Sequence, residues 1–228
     1  MSEEQTIRNV LITKESRIPT LGAYTLTLLM LLITVGDFVG DLRTTAEFTS
    51  NTPEWAITFE IQNQSLQTVE TLQDDETRNI LFELSEIDVP EGYAIGSIDV
   101  IITSEEEEGI SVQCDSVAGD IIENDLTAQW NDPANNLSGQ DSSCAPIDLY
   151  LRVYPNFDGR STTVSAVNEY QALQPWTETG WGIGALSVDL ELDVNSPFGF
   201  DPIGQDTDEE ITVDVTVTMF KASLSLVE

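Results

Sequence analysis

The chain carries 41 Asp and Glu residues against 8 Lys and Arg, and it has no His. Any chemistry must therefore run through carboxylates. Without His there is no base that titrates near neutrality at its ordinary pKa, and no Ser–His or Cys–His couple. Two carboxylates about 5–10 Å apart can cleave glycosides, but so many acids place such pairs in any fold, so the sequence points to a non-enzymatic protein. The other use of carboxylates is to hold a cation, since calcium takes about six to eight oxygen ligands. The best-spaced acids lie in "DVNSPFGFDPIGQDTDEE" (193–210), where Asp206 and Asp208 alternate and Asp201, Glu209 and Glu210 stand nearby. No Gly occupies the sixth position after Asp206, so the EF-hand pattern is incomplete. A Ca2+ site and a plain solvated loop both fit this stretch.

Three smaller constellations remain. Cys114 and Cys144 are the only cysteines; an even count in an oxidising compartment favours a disulfide, and no His is present to complete a two-Cys metal site. The stretch they enclose, "DPANNLSGQDSS", is polar and turn-rich and gains little from packing. Trp176 and Trp181 in "PWTETGWGIG" (175–184) form either an exposed platform for a sugar or protein, or a plug at the end of a core, the commoner fate of Trp. Asn63 in "NQS" and Asn136 in "NLS" fit the N-glycosylation pattern.

The elements that position these residues are strands. "WAITFEI" sets Trp55, Ile57, Phe59 and Ile61 on one face, and "ITVDVTVTM" sets Ile211, Val213, Val215, Val217 and Met219 opposite Thr212, Asp214, Thr216 and Thr218. "ILFEL", "IDVII", "IDLYLRV" and "LSVDLEL" alternate in the same way. Side chains switch face at each strand residue, so this period marks half-buried antiparallel sheets. Such runs separated by Gly, Pro, Asn and Asp clusters predict an all-β antiparallel sandwich, immunoglobulin-like or jelly-roll-like, over 53–228. "SEEEEG" (104–109) and "PNFDGR" (155–160) read as hairpin connections.

Ahead of the strands, residues 18–36 contain no charge. As a helix this run would be about 28 Å long, close to the hydrocarbon thickness of a bilayer. Lys14 and Arg17 precede it, and Asp37 and Asp41 follow. By the positive-inside rule, residues 1–17 are cytoplasmic, 18–36 form a retained signal anchor, 37–52 a linker with a possible first strand, and the sandwich lies outside a single-pass cell membrane protein. A cleaved signal peptide, a pilin-type processed helix and a buried helix of a soluble domain are the alternatives. The pilin signature, a Gly before the cut and a Glu a few residues into the helix, is missing.

A formal charge of −33 makes nucleic acid and anionic lipid surfaces poor partners, because both demand Lys and Arg. The expected partners are the bilayer through residues 18–36 and an envelope or surface-layer protein, with a homo-oligomer as a further reading. The plan of one N-terminal membrane segment followed by an acidic, Thr-rich alternating β domain resembles the anchored surface proteins of salt-adapted or marine archaea. The ending "GWGIGALSVDLEL…DEEITVDVTVTMF" resembles the last hairpin of jelly-roll or immunoglobulin-like surface modules. The resemblance implies a structural or binding role at the envelope. A filament subunit, or a secreted carbohydrate- or calcium-binding module, is the alternative.

Overall fold

The computed structural model describes residues 17–49, 52–105, 114–194 and 208–227. The chain divides into two units, Met1–Thr52 and Pro53–Glu228. The described part of the first is one helix, α1 (Arg17–Thr49), of 33 residues. Its window Leu21–Phe38 has a mean hydropathy of 1.7, and none of that window is buried. The Thr25, Thr27 and Thr34 hydroxyls donate to carbonyls three or four residues back, which hides polar groups that an apolar surrounding would penalise. The helix runs past residue 36, so most of the linker and first strand expected over 37–52 is helical instead. Nothing from Asp37 to Thr49 forbids a helix; the first proline after Pro19 is Pro53. Proline disfavours helical backbone at the residue before it.

The second unit is two antiparallel sheets. Its strands are β1 (Glu54–Gln73), β2 (Thr77–Glu83), β3 (Ala94–Glu105), β4 (Ser116–Ile122), β5 (Ser138–Asp141), β6 (Ile147–Arg152), β7 (Thr162–Ser165), β8 (Ala185–Asp193) and β9 (Asp208–Leu226). A five-stranded sheet runs β6-β3-β9-β1-β7 and a four-stranded sheet β2-β8-β4-β5. All six alternating segments of the sequence fall in strands except for two final residues, Leu84 and Val153, which lie just past β2 and β6. The inner faces pack together: Ile98, Val100, Val213, Val215 and Val217 of one sheet join Phe82, Val117, Leu186, Val188 and Leu190 of the other in one buried cluster. Burying an aliphatic side chain of this size contributes about 1.5–3 kcal/mol, so this core dominates the fold.

The first and last strands of the unit pair over their whole length, from Trp55↔Leu226 to Gln73↔Asp208, with no register shift. β3 flanks β9 on its other side, with a bulge between Ile95 and Ser97. Gly96 sits at that bulge. Its carbonyl accepts from Val153 N–H (3.0 Å) and Tyr154 N–H (2.9 Å), and a Cβ on it would lie 2.3 Å from the Phe157 ring. No residue but glycine fits there without moving the ring.

"PNFDGR" is not a hairpin. β6 and β7 lie at opposite edges of the five-stranded sheet, and the segment between them leaves one edge strand and arrives at the other. It buries Tyr154 and Phe157 against Phe220 in a second, aromatic cluster, with Phe59, Ala94, Trp176 and Ala222 packed on it. Hairpin logic fails because "PNFDGR" carries a core side chain, Phe157, among its turn residues. A short helix, α2 (Glu169–Leu173), follows, its first turn capped by the Asn168 side chain accepting from Gln171 N–H at 2.9 Å. The acidic "SEEEEG" segment lies largely outside the described residues.

Candidate functional site

The second core positions the aromatic residues. Phe220 projects from the middle strand β9, and Phe59 from β1. Phe157 stacks on Phe220 with centroids 4.4 Å apart, and Phe59 meets both rings edge-on at 5.5 and 5.4 Å. Trp176 closes this cluster, 4.8 Å from Phe59 and stacked 6.1 Å from Tyr154. The buried Tyr154 hydroxyl donates to Pro175 O (3.1 Å) and accepts from Glu178 N–H (3.0 Å), pinning the segment that carries both tryptophans. Burial holds the Tyr154 phenol above its ordinary pKa, so it remains a donor.

The two tryptophans therefore part company. Trp176, half-buried, packs on the second core, while Trp181, also half-buried, packs against both cores and lines a cleft of about 370 Å3 with Leu84, Ile87, Tyr93, Ile95 and Glu178. The Trp181 Nε1 donates to a Glu178 carboxylate oxygen at 3.3 Å. Among the described residues Glu178 is the only charged side chain in the lining, and the exposed apolar residues Val89 and Ile183 also face the cleft. Tyr93 was not singled out in the sequence; "EGYAIG" gives no sign that its hydroxyl reaches Gln62, which donates to it at 3.0 Å.

Of the acids expected to hold a cation, Asp201 and Asp206 lie outside the described residues. Asp208, Glu209 and Glu210 open β9 as consecutive strand residues, so they alternate faces. Glu209 is buried opposite Leu72, while Asp208 and Glu210 are exposed. Asp208 and Glu210 therefore share one face of the strand, and Glu209 takes the other. A different set comes together nearby: oxygens of Asp74, Asp75 and Asp193 lie within 4.8 Å of one another. Asp74 accepts from Val194 N–H at 2.9 Å and ties the β1–β2 turn to the end of β8. Oxygen-only ligands suit a hard cation such as Ca2+, but all three groups are exposed. Their separation of more than a hundred positions in sequence left no local signal to find them by.

Cys114 and Cys144 are bonded, with Cα atoms 5.4 Å apart. Cys144 has a positive φ of 56°, and Asp141 supports the turn that holds it there. The Asp141 carboxylate accepts from Ser143 N–H (2.7 Å) and Ala145 N–H (2.8 Å), and these donors hold its pKa below the usual carboxylate range. Asn63 is exposed in the middle of β1 opposite Thr218. Asn136 is exposed too, but its side-chain amide donates to Asp148 O at 2.6 Å, and its backbone exchanges hydrogen bonds with Tyr150.

No protein-family model matches the chain, and no curated protein matches it significantly. Solved structures similar to it include a decameric BFDV capsid protein, at 12% identity and a TM-score of 0.38, covering 72% of this chain and 99% of that one. Mud crab tombus-like virus matches at 12% identity and a TM-score of 0.40, covering 75% of this chain and 83% of that one. Desmodium yellow mottle tymovirus matches at 11% identity and a TM-score of 0.35, covering 75% and 91%. Similarity this loose transfers neither residues nor roles.

Proposed function

We propose that the chain is a single-pass membrane protein whose acidic β-sandwich faces the outside of the cell and serves a non-catalytic, structural or binding role at the envelope. The observation that carries this reading is α1. Its 18-residue window Leu21–Phe38 is apolar and has none of its residues buried, and about 27 Å of helix matches a bilayer core. Lys14 and Arg17 before it and Asp37 and Asp41 after it favour a cytoplasmic N-terminus. The disulfide fits an oxidising exterior. A charge of −33 suits salt-rich surroundings of the kind the archaeal resemblance implies, and it favours a neutral or cationic envelope partner over an anionic one.

The test is alkaline extraction of native membranes, followed by protease treatment of intact cells. The reading expects the chain to stay with the carbonate-washed membrane and the sandwich to be cut from outside. Release by carbonate, or protection of the sandwich in intact cells, would refute it.

A binding-module reading is favoured by one feature, the Trp181 cleft with its apolar floor and single carboxylate. Saturable quenching of Trp fluorescence by a neutral oligosaccharide, lost in Trp181→Ala, would support it.

A further inference from the structure

Sheet edges expose unpaired N–H and C=O groups, and soluble proteins blunt them by keeping edge strands short, charged, bulged or covered. Three of the four edges here follow that rule. β5 is four residues long, β2 carries Arg78 and Glu83, and β6 carries Asp148 and Arg152 and is bridged at Tyr150 by Asn136. The fourth edge does not. β7 covers β1 only from Glu54 to Ile57, so among the described residues Thr58–Gln73 has no strand on its outer side. Within it, "IQNQSLQTV" (61–69) holds nine residues with no charge, no Pro and no Gly, in a chain of net charge −33. Its pairing with β9 is unbroken, so no bulge twists the edge away. Ile61 and Val69 are 44% and 49% exposed.

We propose that this edge pairs antiparallel with the same edge of a second copy of the chain, joining two five-stranded sheets into one across a two-fold axis. Charge selects the occupant. Two chains that each carry −33 repel least where carboxylates are absent, and residues 61–69 are such a stretch on the longest open edge. Asn63, exposed on this edge, suits the polar Ser65 it would meet in a second copy, because an amide both donates and accepts, while Gln62, Gln64 and Gln67 bond Tyr93, Asp88 N–H and Asp214 within their own chain. The flanking acids set the register. With Gln64 opposite Gln64 of the second copy, Glu60 faces Thr68 and Glu70 faces Thr58. Centring on Ser65 instead would put Glu60 against Glu70, a like-charge pair that destabilises a sheet. The contact does not depend on membrane anchoring.

The test uses the full chain in detergent micelles. Gln64→Cys should oxidise to a disulfide-linked dimer, since directly opposed strand residues lie about 4.5–5.5 Å apart at Cα, within disulfide reach. Asp120→Cys, exposed on β4 of the other sheet, should not. Asn63→Asp combined with Val69→Glu returns acids to the edge and should weaken the dimer at least about tenfold in sedimentation, with the circular dichroism unchanged. A monomeric wild-type chain with no Gln64→Cys cross-link overturns the proposal. So does a dimer that the acidic pair leaves untouched, which would assign association to α1. A glycan on native Asn63, found by peptide mass mapping, also overturns it, because it would overlie Ser65 of the second copy.

Discussion

Met219 and Phe220 are neighbours in the chain and both are buried, at 3% and 1% exposure, on opposite faces of β9. Met219 belongs to the core between the two sheets, and Phe220 to the aromatic cluster beneath the β6–β7 crossing. One strand thus carries two cores. Phe220→Ala should cost about 3–5 kcal/mol and Met219→Ala about 2–5 kcal/mol by chemical denaturation. Trp emission separates them: Phe220→Ala opens the packing around Trp176, 6.1 Å away, and should shift the folded spectrum to the red. Met219→Ala should shift it less, because Trp176 packs on the aromatic cluster and not on the core that holds Met219. Identical spectra for the two variants would contradict a second core.

The Cys114–Cys144 bond closes a loop of sequence separation 30. In the chain-entropy model that is about 3–4 kcal/mol of stabilisation. Cys114→Ser with Cys144→Ser, or reduction of the wild type, should lower stability by that order, read as a drop in the denaturation midpoint. A midpoint insensitive to dithiothreitol would show that Asp141 and its hydrogen bonds hold the turn unaided.

Asp99 lies half-buried on the outer face of β3, opposite Thr216 and Tyr150. Burial, and then the nearby Asp148 carboxylate, raise its pKa above the ordinary aspartate value of 3.8. The sign follows from linkage: the folded state binds this proton more tightly than the unfolded state. Asp99 therefore lowers stability as pH rises from the unfolded pKa through the folded one, and the full penalty stands at neutral pH. Asp99→Asn should melt higher than wild type at pH 7, with the gain fading as pH falls toward 3.8. A gain independent of pH would implicate packing rather than charge.

Eight cations against 41 acids leave a surface that repels itself in dilute buffer. Screening shortens from about 10 Å at 0.1 M salt to about 3 Å at 1 M. The melting temperature should climb with NaCl over that range, and equally with KCl. A flat profile would contradict self-repulsion as a force on the folded state.

The sandwich was legible because six segments alternate cleanly, and Val213, Val215 and Val217 name the inner face directly. The second core was not, since period-two counting credits each strand with one buried face. Phe220 and Phe59 bury the other face only because a distant loop crosses it. That loop reads as a hairpin by its turn residues, and only the position of Phe157 against Gly96 shows that it is structural. The place of Trp176 was hidden for the same reason: it packs, half-buried, on Tyr154 and Phe59, neither of them local. The helix overran its expected end because loss of hydrophobicity after Gly36 marks the limit of an apolar span, whereas Pro53 marks the limit of helical backbone. The acidic cluster joins a turn after β1 to the end of β8, a pairing that only topology creates.

Whether α1 remains on the mature protein decides between an anchored and a secreted sandwich. The direct measurement is the intact mass of the chain purified from its native membrane and deglycosylated. Retention as an anchor predicts the mass of all 228 residues, less at most the initiator Met. Loss of the first ~36 residues, the outcome expected of a cleaved signal sequence, would make the sandwich a secreted module and contradict the anchored reading.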